Sequence, residues 1–325
     1  MTVISPTPPC QPTLPRRDRG RSGLAGFLSL LTTLGPLLTP LPLLSLPVAT
    51  VTWGLLAARA TAQAFQVQVT PPNPTLGDTL SVVIQTNGPV NETPTVQLGN
   101  QRYPAFAIAP NRYRALLPTT PLDRPGTLAL GVSVGGQSQS LTVPLGGRNF
   151  PTQRIWLPPG KDDLTGTDQE FDRVDAFKQI VSPQKFWSGP FLRPSNAEVT
   201  TVYGVRRYYN GVFAQDYYHR GVDYGAGTGS PVVAPAAGRV ALVGRESQGF
   251  VIHGNTIGID HGQGVSSILI HLHSINVREG DLVQAGQVVG TVGSTGVATG
   301  PHLHWGLYVH GKAVDPVPWR YQGIE

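Results

Sequence analysis

Between Phe65 and Val143 apolar residues come in short alternating runs, and Gly, Pro or Asn separates one run from the next. The segments around Val67, Val82, Val96, Ile108, Leu130 and Val143 all carry the two-residue period. That period places one face of a strand in a core and the other in water. Short strands at regular spacing with turn residues between them predict a small Ig-like β-sandwich over residues 65–147. With 39 Gly and 31 Pro, the 325-residue chain has little room for long helices, while 10 Tyr, 10 Phe and 5 Trp can still fill a core. The segment holds no chemical constellation, so it reads as a packing or spacer domain, or as a wall- or partner-binding module.

Charge argues against one class of partner. The formal charge is +5, but residues 1–64 hold five of the 24 basic side chains and one of the 19 acidic ones. The body is therefore close to neutral and lacks the basic excess of a nucleic-acid binder. The early arginines instead belong to a leader. Arg16, Arg17, Arg19 and Arg21 precede an apolar stretch from Leu24 to Ala58, which ends in small residues around Ala60, Ala62 and Ala64. This order is the logic of a secretory signal. Pro36, Pro40, Pro42 and Pro47 interrupt the stretch and disfavour a straight membrane helix. Residues 1–64 are thus expected to be a cleaved signal peptide, or an N-terminal anchor that would be the sole membrane contact. The one cysteine, Cys10, excludes an intrachain disulfide.

Residues 148–190 read as a linker with one helix. Thr167 and Glu170 have the spacing of a capping box, in which the hydroxyl serves an orphan amide and the carboxylate reaches back to the helix start. Phe171, Val174, Phe177 and Val181 then recur at helical spacing and predict a packed stripe.

All eight histidines lie between His219 and His310. Neutral imidazole is a common ligand for transition metals, so this clustering points to a metal site within residues 191–325. His219 and Asp223 are four apart and can hold one cation together. His302 and His304 project from one face if the segment is a strand, with Leu303 turned to the core; one ring can bind metal while the other stands beside it. His271 closes the apolar run Ile268 to Ile270, and His273 shares its face by strand period. His261 sits in an apparent turn, Asp260 to Gly264, and His253 and His310 beside Gly254 and Gly311 read as exposed turn residues.

These pieces, in order, resemble the lysostaphin/LytM-type zinc metallopeptidases. The match runs through Tyr203 to Arg206, His219 to Asp223, Ala234 to Gly238, Ile259 to Gly262, His271-Leu272, Gly290 to Gly296 and Gly300 to His304. The resemblance implies a mainly β fold, with an antiparallel β catalytic domain akin to barrel-sandwich hybrids over residues 191–325. It implies Zn2+ on His219, Asp223 and His304, and catalytic, non-ligand imidazoles at His271 and His302. It implies an endopeptidase that hydrolyses peptide stems or cross-links of bacterial peptidoglycan, exported to the periplasm or cell envelope. His273 departs from the family pattern, where a small or polar residue is usual. Two non-enzymatic readings stand beside this one: a LytM-type activator of cell-wall amidases that has lost catalysis, and a wall-binding scaffold. The retained His and Asp positions favour the enzyme.

The leader makes the first prediction. N-terminal sequencing of protein from the native host is expected to give a start near Gln63 or Phe65. Intact Met1 on protein from the cytoplasmic fraction would overturn the export reading.

Overall fold

The computed structural model describes residues 65–156 and 165–324. The expected leader, residues 1–64, lies outside the described residues. Among those described, no helix is long and apolar enough to cross a membrane.

The alternating segments form two four-stranded antiparallel sheets. One runs in the order Phe65–Thr70, Thr79–Thr86, Arg112–Pro118, Phe106–Ala109. The other runs Gln101–Pro104, Thr95–Leu98, Gly126–Val134, Gln137–Leu145. Leu80, Val82 and Ile84 from the first sheet and Val96, Leu130 and Val132 from the second meet in one buried cluster, as a sandwich requires.

The histidine-bearing part is dominated by one antiparallel sheet of ten strands. Its central path is Glu198–Thr201, Val222–Gly225, His302–Val309, Val265–Ile275, Asn255–Gly262, Gly238–Gly244 and Leu282–Val283. The fold is mainly β, as the sequence predicts. Its core holds Trp305, Leu303, Leu307, Leu269, Ile257 and Ile259, all with no measurable exposure. Burial at this density gives the sheet the stiffness that a site needs.

The predicted helix spans Asp168–Lys178. Val174 and Phe177 are buried, whereas Phe171 and Val181 are exposed, so only half of the expected stripe packs. Phe177 lies over Gly258 in the central sheet, where a β-carbon would come within 2.7 Å of its ring. The segment also supplies a strand that alternation does not reveal. Thr152–Ile155 pairs in parallel with Arg206–Tyr209, which pairs in turn with Val212–Phe213.

The sandwich is fastened to the large sheet by polar contacts. Arg114, 1% exposed, donates to the Ile324 carbonyl at 2.9 Å and to Gln263 Oε1 at 2.8 Å. Arg148 pairs with Asp315 at 2.7 Å, and Trp319 Nε1 donates to Thr79 Oγ1 at 3.2 Å.

Phe177→Ala should leave a cavity between helix and sheet that costs about 3–5 kcal/mol. Urea unfolding of the variant should show a lower midpoint at an unchanged slope; an unchanged midpoint would mean the helix is only loosely seated.

Candidate metal centre and its cleft

Register explains how distant residues meet. Val222–Gly225 lies antiparallel to His302–Val309, with Asp223 directly opposite His304. Side chains at such facing positions stand close enough to share a small ion. His302 and His304 leave the same strand face, and Leu303 between them is buried on the other. His219 precedes the strand and is pinned by its own main chain. Its N–H donates to the Val205 carbonyl at 2.8 Å, and its carbonyl accepts from Gly204 N at 2.9 Å. Gly221, between His219 and Asp223, passes so close to the next strand that a β-carbon would sit 2.2 Å from the Trp305 carbonyl oxygen and 2.8 Å from His304 Nε2.

Three acceptor-bearing atoms converge here. His219 Nε2 lies 2.9 Å from Asp223 Oδ1 and 3.0 Å from His304 Nδ1, and His304 Nδ1 lies 2.8 Å from Asp223 Oδ1. His219 Nδ1 faces the Val202 carbonyl at 2.8 Å. A carbonyl can only accept, so the ring proton is on Nδ1 and the Nε2 lone pair points at the carboxylate. Lone pairs aimed at one another in a buried pocket are the pattern that a cation resolves. Two imidazole nitrogens and one carboxylate oxygen are a donor set suited to zinc, and three protein ligands leave a position open. The set fits the metal implied by the sequence.

The electrostatics keep these groups ready to ligate. Burial pushes the Asp223 carboxyl up, but its close contacts with His219 and His304 outweigh it and hold the group well below the usual carboxylate range. Burial, against the pull of Asp223, pushes His304 down to about 4, so its ring is neutral at pH 7. Arg207, overlooked in the sequence, places its guanidinium 3.5 Å from Asp223 Oδ2. It comes from the strand paired with Thr152–Ile155, which is why local pattern did not reveal it.

The two remaining predicted site residues stand beside the triangle. The rings of His271 and His302 are 4.8 Å apart, and His302 Nε2 is 4.0 Å from Asp223 Oδ1. His302 Nδ1 donates to the Gly300 carbonyl at 2.8 Å and His271 Nδ1 to the Thr295 carbonyl at 2.9 Å. Both rings therefore keep Nε2 as the basic nitrogen. Burial, then the neighbouring rings of His302 and His304, push His271 well below the usual histidine range.

His271 does not end its strand. It is an extra residue within Val265–Ile275: Ile257 pairs with Leu269, but Asn255 pairs with Leu272. Its φ is +65°, the left-handed region. Such a bulge re-aims a side chain and breaks the alternation. His271 and Leu272 are consequently both buried, and His273 is exposed away from the cleft, contrary to its expected place on the cleft face. Three other histidines also differ from the expectation. His261 is fully buried within a strand, bonded to the Ala237 carbonyl and Ser267 Oγ at 2.9 Å each. His253 is half-buried against Glu170, and His310 is half-buried edge-on to Tyr103.

The five residues open onto a cleft of about 620 Å³. Its walls include Gln153, Arg207, Tyr209 and Tyr217 on one side and Phe171, Ile252 and Thr299 on another. Tyr217 thus forms a groove wall, while its neighbour Tyr218 is core.

Residues 217–316 match the family model described as Peptidase family M23. Over 99 residues the chain is 42% identical to the DD-carboxypeptidase/endopeptidase Mpg of Neisseria meningitidis, covering 30% of this chain and 22% of that protein. Over 106 residues it is 40% identical to lysostaphin of Staphylococcus staphylolyticus, covering 31% of this chain and 22% of that protein. The chain thus spans about a fifth of the length of these curated relatives. A crystal structure of a Pseudomonas aeruginosa protein assigned to peptidase M23 superposes with a TM-score of 0.58 at 25% identity, over 78% of this chain and 97% of that one. That share exceeds what residues 191–325 can supply, so the likeness takes in the sandwich.

Asp223→Ala leaves two imidazoles, one ligand short of a tight zinc site, and should lose its metal on mild dialysis. Metal analysis against the unaltered protein checks this; full retention would mean the ligand set is wrong.

Proposed function

Starting from a peptidase family M23 domain at residues 217–316, we propose that this chain is a zinc-dependent endopeptidase that hydrolyses the peptide stems or cross-links of bacterial peptidoglycan. The observation that carries the reading is the joint placement of His219, Asp223 and His304 within 3.0 Å of one another, beside two further imidazoles on one cleft. The printed names of the relatives, a DD-carboxypeptidase/endopeptidase and lysostaphin, support the substrate class. Peptidoglycan lies outside the cytoplasm, so the reading also puts the protein in the periplasm or cell envelope, in keeping with the expected leader.

His219 Nε2, Asp223 Oδ1 and His304 Nδ1 would hold the zinc. When bound there, zinc supplies Lewis acidity that polarises a carbonyl and acidifies water. The chain's own residues do the rest. His302 Nε2, beside Asp223, and the basic nitrogen of His271 flank the place where the scissile carbonyl would lie. Either can take the proton of the attacking water on its Nε2, and the Nε2–H that it then carries can stabilise the developing oxyanion. Their Nδ1–H bonds to carbonyls fix both rings in the tautomer this work requires. Later the protonated imidazole can return its proton to the leaving amine. There is no H-E-x-x-H helix, so the glutamate base of that arrangement is not called on. Among the described residues, Lys178, Arg207 and Arg220 line the cleft, and Asp223 is its one carboxylate. That balance favours a peptide carrying free carboxylates, as stem peptides do, over a neutral glycine bridge.

The amidase-activator reading would need no competent ligand set, and the five intact positions weigh against it. His302→Ala should keep one zinc per chain and lose about 10²–10⁴-fold in rate, while His304→Ala should lose zinc and activity together. Digestion of purified sacculi with mass spectrometry of the products, alongside zinc stoichiometry, checks both. Intact sacculi under the unaltered, zinc-loaded protein would overturn the enzymatic reading.

A further inference from the structure

Glu170 does not do what its sequence position suggests. In a capping box its carboxylate would return to the start of its own helix. Thr167 fills its half of the motif by accepting from Glu170 N at 3.1 Å. The carboxylate, fully buried, turns the other way, onto residues 251–253 of the catalytic part. It accepts from Val251 N at 3.0 Å, Ile252 N at 3.1 Å and His253 N at 2.7 Å, and from His253 Nδ1 at 2.6 Å. Burial pushes the carboxyl up, and the bonds from His253 and the loop amides overcome that and hold it below its ordinary range.

The loop so held is the one against which His271 is built. The His253 carbonyl accepts the main-chain N–H of His271 at 3.0 Å, at the residue whose φ is +65°. The Ile252 carbonyl accepts Val297 N at 2.9 Å, and Asn255 N donates to Thr295 Oγ1 at 2.9 Å. The Thr295 carbonyl in turn accepts from the His271 ring. Gly254 lies so close to Thr295 that a β-carbon would meet it at 2.4 Å. Both bonds that orient His271, one at its main chain and one at its ring, therefore end on segments tied to the Glu170 loop.

We propose that Glu170, on the helix before the catalytic domain, is a positioning residue for His271, acting through the loop 251–253 and its hydrogen bond with the His253 ring. The proposal rests on the reading that His271 serves catalysis. It makes the linker helix part of the catalytic apparatus, although Glu170 lies outside residues 217–316. A left-handed histidine costs energy and persists only where its surroundings over-determine it. A buried carboxylate that collects four donors supplies such a constraint, because each of its bonds is charge-assisted.

The test is a double-mutant cycle in the full chain, read by sacculus digestion. Glu170→Gln keeps the side-chain size and removes the charge and one acceptor. It should keep one zinc per chain, hold KM near the wild-type value and lower kcat by about 10- to 10²-fold, the scale of a displaced catalytic group. In a His271→Ala background the same substitution should cause no further loss, since its effect passes through that ring. Undiminished kcat in zinc-loaded Glu170→Gln, or losses that multiply with His271→Ala, would overturn the proposal. Should Glu170→Gln fail to fold, His253→Gln removes the ring arm alone and is put through the same cycle, with the same outcomes deciding. The Nδ1–H proton resonance of His271, assigned by its disappearance in His271→Ala, should shift in Glu170→Gln. That signal needs no substrate, so it tests the positioning even if the unaltered protein leaves sacculi intact, which would sink the functional reading instead.

Discussion

Three lone-pair-bearing atoms are held within 3.0 Å of one another at the buried floor of a cleft, and the surrounding structure is arranged to keep them there. Left alone, such atoms would separate, since a buried acceptor without a donor or cation is costly. Several backbone decisions prevent it. The Val202 carbonyl takes the His219 Nδ1 proton and commits its other nitrogen to the site. Antiparallel register sets Asp223 across from His304. Gly221 lets the two strands approach closer than any side chain would allow. The two imidazoles at His271 and His302 repeat the device, each giving its Nδ1 proton to a carbonyl and keeping Nε2 for the cleft.

How much of this was legible depended on whether the signal was local. Alternation exposed most sandwich strands because one face is buried and the other wet. It did not expose Arg112–Pro118, where a continuous run from Arg114 to Pro118 is buried and the arginine itself serves the junction with the large sheet. The His302-Leu303-His304 triplet read correctly as two rings on one face, since that strand is regular. The same period misplaced His273, because the bulge at His271 shifts the phase by one residue and nothing in the local composition marks it. His261 looked like a turn residue from its glycines, yet it belongs to a strand, and its two hydrogen bonds satisfy it in the core. The ligand assignments themselves came from the ordered resemblance, not from spacing.

What stayed hidden came from segments far away in the chain. Arg207 reaches Asp223 from a strand whose partner, Thr152–Ile155, lies in the linker. Glu170 carries a motif that predicts a local bond and makes long-range ones instead. In both cases a residue outside the ordered histidine motifs completes the surroundings of one inside them. The histidine-bearing sheet and the linker are better viewed as one unit than as a domain with a tether.

Arg114 adds a dimension of time. Its two acceptors lie 149 and 210 residues further along the chain, the second near the end of the described residues. A ribosome delivers the strand bearing Arg114 before either acceptor, so this lock between sandwich and sheet can close only after residue 324 has emerged. Closing so long a loop is entropically slow but, per added residue, inexpensive. A chain stopped short of Ile324 would hold every strand of the sandwich, yet lack one of the carbonyls that lock it to the sheet.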